Sequence, residues 1–148
     1  MSEQNKGVLV TGVIGSDTHI VGNRILSRAL EDKGFKVIAL GALTPSEEFV
    51  DAAIETDADA ILVSSLYGQG ELDCDGFRDL CVEAGIGDTL LYVGGYLVVG
   101  DRPWEETEAR YKEMGFDRAF PPRTRPDDVT GVLEQDIARR RAARSAAG

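Results

Sequence analysis

Five short runs of apolar and β-branched residues recur along the chain, separated by stretches with apolar positions three and four apart. The runs are "VLVTGVI" (8–14), "KVIAL" (36–40), "AILVSS" (60–65), "LLYVG" (90–94) and the weaker "RAF" (118–120). They lack polar alternation, as strands buried on both faces do. Between and after them the 3.6-residue period predicts helices over 20–33, 45–56, 74–84, 103–114 and 126–142. The boundaries are marked. Thr44-Pro45 offers a cap followed by a proline at the first turn, Arg102-Pro103 repeats the proline signal, and Gly34, Gly85 and Gly115 fall where a left-handed residue closes a helix.

Strands alternating with helices imply βαβ units and a parallel sheet covered on both sides. Five strands fit the flavodoxin-like (Rossmann-like) order 2-1-3-4-5, whose ligands bind at the carboxyl ends of the strands near the switch point beside strands 1 and 3. The loops expected on that rim are "GSDTHIVG", "SSLYGQGELD" and "GGYLVVG". Several usual occupants of such a rim fail on residue type. Gly15 is followed by Ser16-Asp17 with no P-loop lysine, and "TGVIGSD" has too few glycines for a dinucleotide fingerprint. Strand 3 ends in Ser64-Ser65, where a receiver domain needs an aspartate. Asp17 would repel the phosphate of a flavin nucleotide.

With 148 residues and no internal repeat or linker, the chain reads as one domain over 1–148, its core about 7–137. Net charge is −10, but Arg139, Arg140, Arg141 and Arg144 give the last ten residues +4, leaving −14 for residues 1–138. That acidity disfavours nucleic acid as the ligand. An acidic surface with only four lysines suits a salt-rich cytoplasm, where screening relieves self-repulsion. The arginine-rich segment 138–148 reads as a frayed, solvated helix end. No apolar run approaches the roughly 20 residues of a membrane span, and "MSEQNKG" has no secretory layout; a cytoplasmic protein with no membrane partner is expected. Cys74 and Cys81, seven apart on one predicted helix, are about 10 Å apart along it, too far to bridge there. They read as reduced packing thiols.

The only histidine, His19, stands in the first of the rim loops, two residues after Asp17. An imidazole that ligates a metal commonly gives its other ring N–H to a carboxylate, and Asp17 is near enough in a turn to accept it. One protein ligand cannot hold a bare metal, but it can fill one axial position of a metal held in a macrocycle. The spacing extends this: Asp17-x-His19-x-x-Gly22, then Ser64-x-Leu66 after 41 residues, then Gly94-Gly95 after 27 more. That pattern resembles the cobalamin-binding signature of adenosylcobalamin mutases and methionine synthase. Beyond it, "GVIGSDTHIVGNRIL", "AAIETDADAILVSSLYGQGELDCDG" and "LLYVGGYLVVG" resemble the small, cobalamin-binding subunit of glutamate mutase (methylaspartate mutase) over about residues 7–137.

The resemblance implies that the cofactor is adenosylcobalamin, bound with its dimethylbenzimidazole tail displaced from cobalt, and that His19 is the lower axial cobalt ligand with Asp17 behind it. Ser16, Asp17, Thr18, His19, Ile20 and Gly22, with Ser64, Ser65 and Leu66, would contact corrin and tail. Gly94 and Gly95 would leave room for the tail, and Tyr96, Leu97, Val98, Val99 and Gly100 would line its far end. Tyr96 departs from the asparagine usual after the paired glycines. The resemblance further implies no catalytic residue in this chain. A separate large (β/α)8-barrel subunit, two copies of each in the assembly, would bind L-glutamate for its radical rearrangement to (2S,3S)-3-methylaspartate; alone the chain would be inactive. Three alternatives share the motif: a corrinoid carrier for methyl transfer, the small subunit of another adenosylcobalamin mutase, and a cobalamin-sensing module. Only about seven residues precede strand 1, short for the helical cap usual in the carriers.

Overall fold

The computed structural model describes residues 7–14, 21–65, 73–95, 97, 102–121 and 124–147. The elements run β1 (Val8–Val13), α1 (Val21–Asp32), β2 (Lys36–Ala39), α2 (Ser46–Thr56), β3 (Ala60–Ser65), α3 (Phe77–Glu83), β4 (Leu90–Gly95), α4 (Trp104–Glu113), β5 (Arg118–Phe120) and α5 (Pro126–Ala147). All pairings are parallel, in the order β2-β1-β3-β4-β5. The five apolar runs thus become the strands. Ile14 leaves β1 to form an isolated bridge with Thr44.

Alternate residues of the central strands feed two cores, because successive side chains of a strand point to opposite faces. Leu9, Leu62 and Tyr92 pack with Leu30 of α1 and Val129, Leu133 and Ile137 of α5. Val10, Ile61, Val63 and Leu91 pack with Phe49 of α2, Phe77 and Cys81 of α3 and Tyr111 of α4. Gly12 is required by this packing: a Cβ there would lie 2.9 Å from the ring of Phe49. Gly34, Gly85 and Gly115 have φ of 102°, 85° and 104°, so the three helix-closing glycines stand as predicted.

Three expectations change. Helix α3 begins at Phe77, not 74, because Gly76 caps it in a left-handed conformation with φ 76°. Cys74 therefore sits in the turn before the helix, and both thiols are buried and free. Thr44 does not cap α2; its hydroxyl donates to the Gly41 carbonyl at 3.0 Å, and Pro45 takes the cap position without a side-chain bond.

The third change is larger. The arginine-rich segment is not a frayed end: α5 continues to Ala147, and its arginines reach the amino ends of the strands. Asp59, just before β3, accepts from Arg140 Nη1 at 3.1 Å, Arg141 Nη2 at 3.0 Å and the Val8 backbone N–H at 2.9 Å. Arg140 Nε donates to the Asp88 carbonyl at 2.9 Å, and Arg144 pairs with the Asp88 carboxylate at 3.4 Å. The Arg140 side chain is only 7% exposed. Asp59, buried at the start of β3, needs a cation beside it, and the long arginine stems bridge the distance.

Candidate functional site

At the opposite end of the sheet, β1, β3 and β4 finish side by side, with Val13 beside Ser64 and Ser64 beside Gly94. Helix α1 is fixed to this end by two polar side chains, Ser27 and Asn23. Ser27 and Thr11 share a buried hydroxyl–hydroxyl bond of 2.9 Å. Asn23, in the first turn of α1, donates from Nδ2 to Ser64 Oγ at 3.0 Å and at 3.4 Å to the Gly12 carbonyl. Because Ser64 accepts through its oxygen, its own hydrogen remains available to another acceptor.

Between α1 and the start of α5 the carboxyl ends of β3, β4 and β5 enclose a cavity of about 280 Å³. Its walls include Ile25 and Leu26 of α1, Tyr92 and Gly94 of β4, Phe120 of β5 and Val129 of α5. Among the described residues no lining side chain is charged. Drug-sized ligands occupy pockets of roughly 300–1,000 Å³, so this space suits one flat apolar ring system, not a whole macrocyclic cofactor. Gly94 opens it: a Cβ there would stand 3.5 Å from Phe120 Cβ, and any longer side chain would enter the cavity. Gly95 has φ 115°, a backbone that other residues adopt only under strain.

The residues singled out in the sequence divide as follows. Ser64, Gly94 and Gly95 meet at this rim, and Gly22 lies in the first turn of α1. Ser65 and Leu97 do not face the cavity. By strand alternation Ser65 points with Ile61 and Val63 toward α2, α3 and α4, where its buried hydroxyl has no hydrogen-bond partner among the described residues. Leu97 packs into the same core. Ser16, Asp17, Thr18, His19, Ile20, Leu66, Tyr96, Val98, Val99 and Gly100 lie outside the described residues. Among the described residues no cluster of histidine, cysteine and acidic side chains could hold a metal ion.

Sequence reasoning missed Asn23 and the wall formed by Phe120, Pro121, Thr124 and Val129. Asn23 carried a faint signal, since asparagine is a poor helix former placed on a buried face. The β5–α5 wall carried none.

The remaining electrostatics belong to structure, not chemistry. Burial pushes the Cys74 thiol up to about 12, with the charge of Asp73 adding to it. Burial also raises the Cys81 thiol. Neither is a nucleophile near neutrality.

Residues 7–119 match the family described as B12 binding domain, the class to which this doubly wound sheet with an uncharged cavity at its carboxyl rim corresponds. The fold by itself is less telling. The chain is similar to a cobalamin-binding protein from Desulfitobacterium hafniense at TM-score 0.71 and 22% identity, covering 87% of this chain and 58% of that one. It is also similar to a signal receiver domain of a putative Luxo repressor protein from Vibrio parahaemolyticus at TM-score 0.69 and 8% identity, covering 95% and 97%. Sequence separates these classes. The glutamate mutase sigma subunit of Carboxydothermus hydrogenoformans is 56% identical over 129 residues, 87% of this chain and 94% of that protein. The chain therefore belongs to the glutamate mutase sigma subunits, the small cobalamin-binding subunits of that isomerase.

Proposed function

We propose that this chain holds adenosylcobalamin with its benzimidazole base in the cavity between α1 and α5, and with His19, braced by Asp17, on cobalt. One observation carries the reading: a cavity sized for a bicyclic ring lies at the strand ends, uncharged among the described residues, beside a serine whose hydrogen is uncommitted among them. Ser64 would donate to the free ring nitrogen of that base, which would otherwise be a buried unpaired acceptor costing about 1–3 kcal/mol. Asn23 fixes the Ser64 rotamer for that task, and Gly94 keeps the entrance open. When bound, the cofactor supplies the homolysing cobalt–carbon bond, and this chain supplies position and surroundings.

The chain does not carry out the isomerisation alone. A dicarboxylic amino acid calls for arginine forks, and among the described residues no arginine lines the cavity. A large barrel subunit, two copies with two of this chain, would bind L-glutamate and yield (2S,3S)-3-methylaspartate in the cytoplasm. The test is reconstitution. The purified chain with adenosylcobalamin should give no methylaspartate, and adding a large glutamate mutase subunit should give turnover. Turnover by this chain alone would overturn the division of labour, and failure to bind cobalamin would overturn the whole reading.

A further inference from the structure

Two hollows lie end to end on the α1–α5 face of the sheet. The first is the apolar cavity at the carboxyl ends. The second is a groove of about 560 Å³ toward the amino ends, whose lining includes Leu90, Arg118, Asp136, Arg139, Arg140 and Arg144. Along β4, Leu90 borders the groove and Gly94 the cavity, and Tyr92 stands between them, two residues or about 7 Å from each. Along α5, Val129 lines the cavity, and Asp136, seven residues or about 10 Å further on, lines the groove. Tyr92 joins the two series: its ring belongs to the cavity wall, and its hydroxyl donates to Asp136 Oδ2.

That ring is held at several points. It packs against Phe120 with centroids 5.5 Å apart and planes tilted by 59°. Its acceptor is itself immobilised, because Arg118 grips the Asp136 carboxylate with Nε at 2.6 Å and Nη2 at 3.1 Å, and Arg139 adds a contact at 3.3 Å. A two-point guanidinium fork fixes both distance and plane. A tyrosine buried to 1% exposure and tied by its far end has no free rotamer into which to withdraw.

We infer that Tyr92, anchored through Asp136 and Arg118, is the depth stop of the cavity and sets the size of heterocyclic base the chain accepts. Asp136 and Arg118 act through Tyr92 and are positioning residues. The inference rests on the reading that the cavity takes the cofactor's base.

The test compares three corrinoids by titration with the purified chain: cobinamide, which has no base; cobalamin; and the cobamide whose base is naphthimidazole, one fused ring longer. The readout is the ratio of dissociation constants for the long and the standard base, since a merely structural residue would weaken both alike. The native chain should favour the standard base by about tenfold or more, the scale of one or two unplaced methylene equivalents. Tyr92→Leu should bring the ratio near one or invert it. Tyr92→Phe, which keeps the ring and frees it, and Asp136→Asn, which weakens its anchor, should each reduce the ratio by about threefold, a partial loss on the same scale. These two decide the matter should the leucine variant not fold. A ratio unchanged in the variants overturns the role of Tyr92 alone. A native chain that binds cobinamide as tightly as cobalamin overturns the tail reading, and the inference with it.

Discussion

At the amino ends of the strands Asp59 and Asp136 are gripped by arginines of α5 and β5, whereas at the carboxyl ends the described walls of the cavity are mostly aliphatic and aromatic and carry no charge. Both regions are capped by α5, which starts over the cavity at Pro126 and Val129 and finishes among the acids at Arg140 and Arg144. The amino end spends its polar groups on one another: Arg78 alone donates to the carbonyls of Gly87, Thr89 and Gly115 at 2.9 Å each and to Asp117 at 2.8 Å. The carboxyl end keeps a donor and a hollow in reserve. One edge of the sheet is finished as a scaffold, and the other is shaped to receive something. Buried ion pairs add little net stability over apolar packing but are costly to break singly. Their placement at the far end of the sheet lets the scaffold be rigid without adding charge to the described walls of the cavity.

The largest expected effect comes from breaking the finished edge. Asp59→Ala leaves Arg140 buried without its carboxylate and removes an acceptor from the Val8 N–H. It should cost about 3–5 kcal/mol in urea unfolding, while the folded fraction binds cobalamin as before. A cost below about 1 kcal/mol, the worth of an exposed pair, would show that the network is surface decoration. The opposite edge answers to a different readout. Asp17→Asn should weaken cobalamin binding by about 10–100-fold, the usual effect of losing the carboxylate behind a metal-bound histidine, with unfolding unchanged. Native affinity in that variant would remove Asp17 from the site.

The finished edge should also respond to acid. Burial pushes the Asp136 carboxyl up, but the hydrogen bonds from Arg118 and Tyr92 outweigh it and hold it below the ordinary range. A carboxyl depressed in the folded state stabilises fully above its unfolded value of about 3.9, and that contribution fades as pH falls from there through the folded value. The gap in unfolding free energy between native chain and Asp136→Asn should therefore be widest near neutrality and close in acid. A gap independent of pH would contradict the pairing. The smallest effect concerns neither edge. Cys74 and Cys81, buried between the two, should resist a thiol reagent at pH 8 until the chain unfolds, and prompt labelling of the folded chain would contradict their burial.

The two edges also differed in how far the sequence disclosed them. Strand and helix order was legible because fully buried parallel strands leave uninterrupted apolar runs, and helix-closing glycines mark the breaks. The rim residues Ser64, Gly94 and Gly95 were legible because a spaced motif around one histidine fixes loop identity, and the sheet order then brings the loops together. The arginines of α5 were misread because their partners are remote: Asp88 lies 52 positions from Arg140, and Asp59 lies 81. No local pattern signals such a pair, so the charges looked solvated. Cys74 was drawn into α3 because periodicity ignores the left-handed turn at Gly76. Asn23 and Phe120 were invisible as site residues for a related reason, as each acquires its role only when α1 and β5 flank the same cavity.

If the cavity takes the base of cobalamin, His19 is free to take its place on cobalt. Electron paramagnetic resonance of the Co(II) form bound to this chain tests that exchange. With 15N-labelled protein and unlabelled cofactor, the axial nitrogen coupling should change from the triplet pattern of 14N to the doublet of 15N. A spectrum indifferent to labelling of the protein would mean that the axial nitrogen is the cofactor's own and that no exchange occurs.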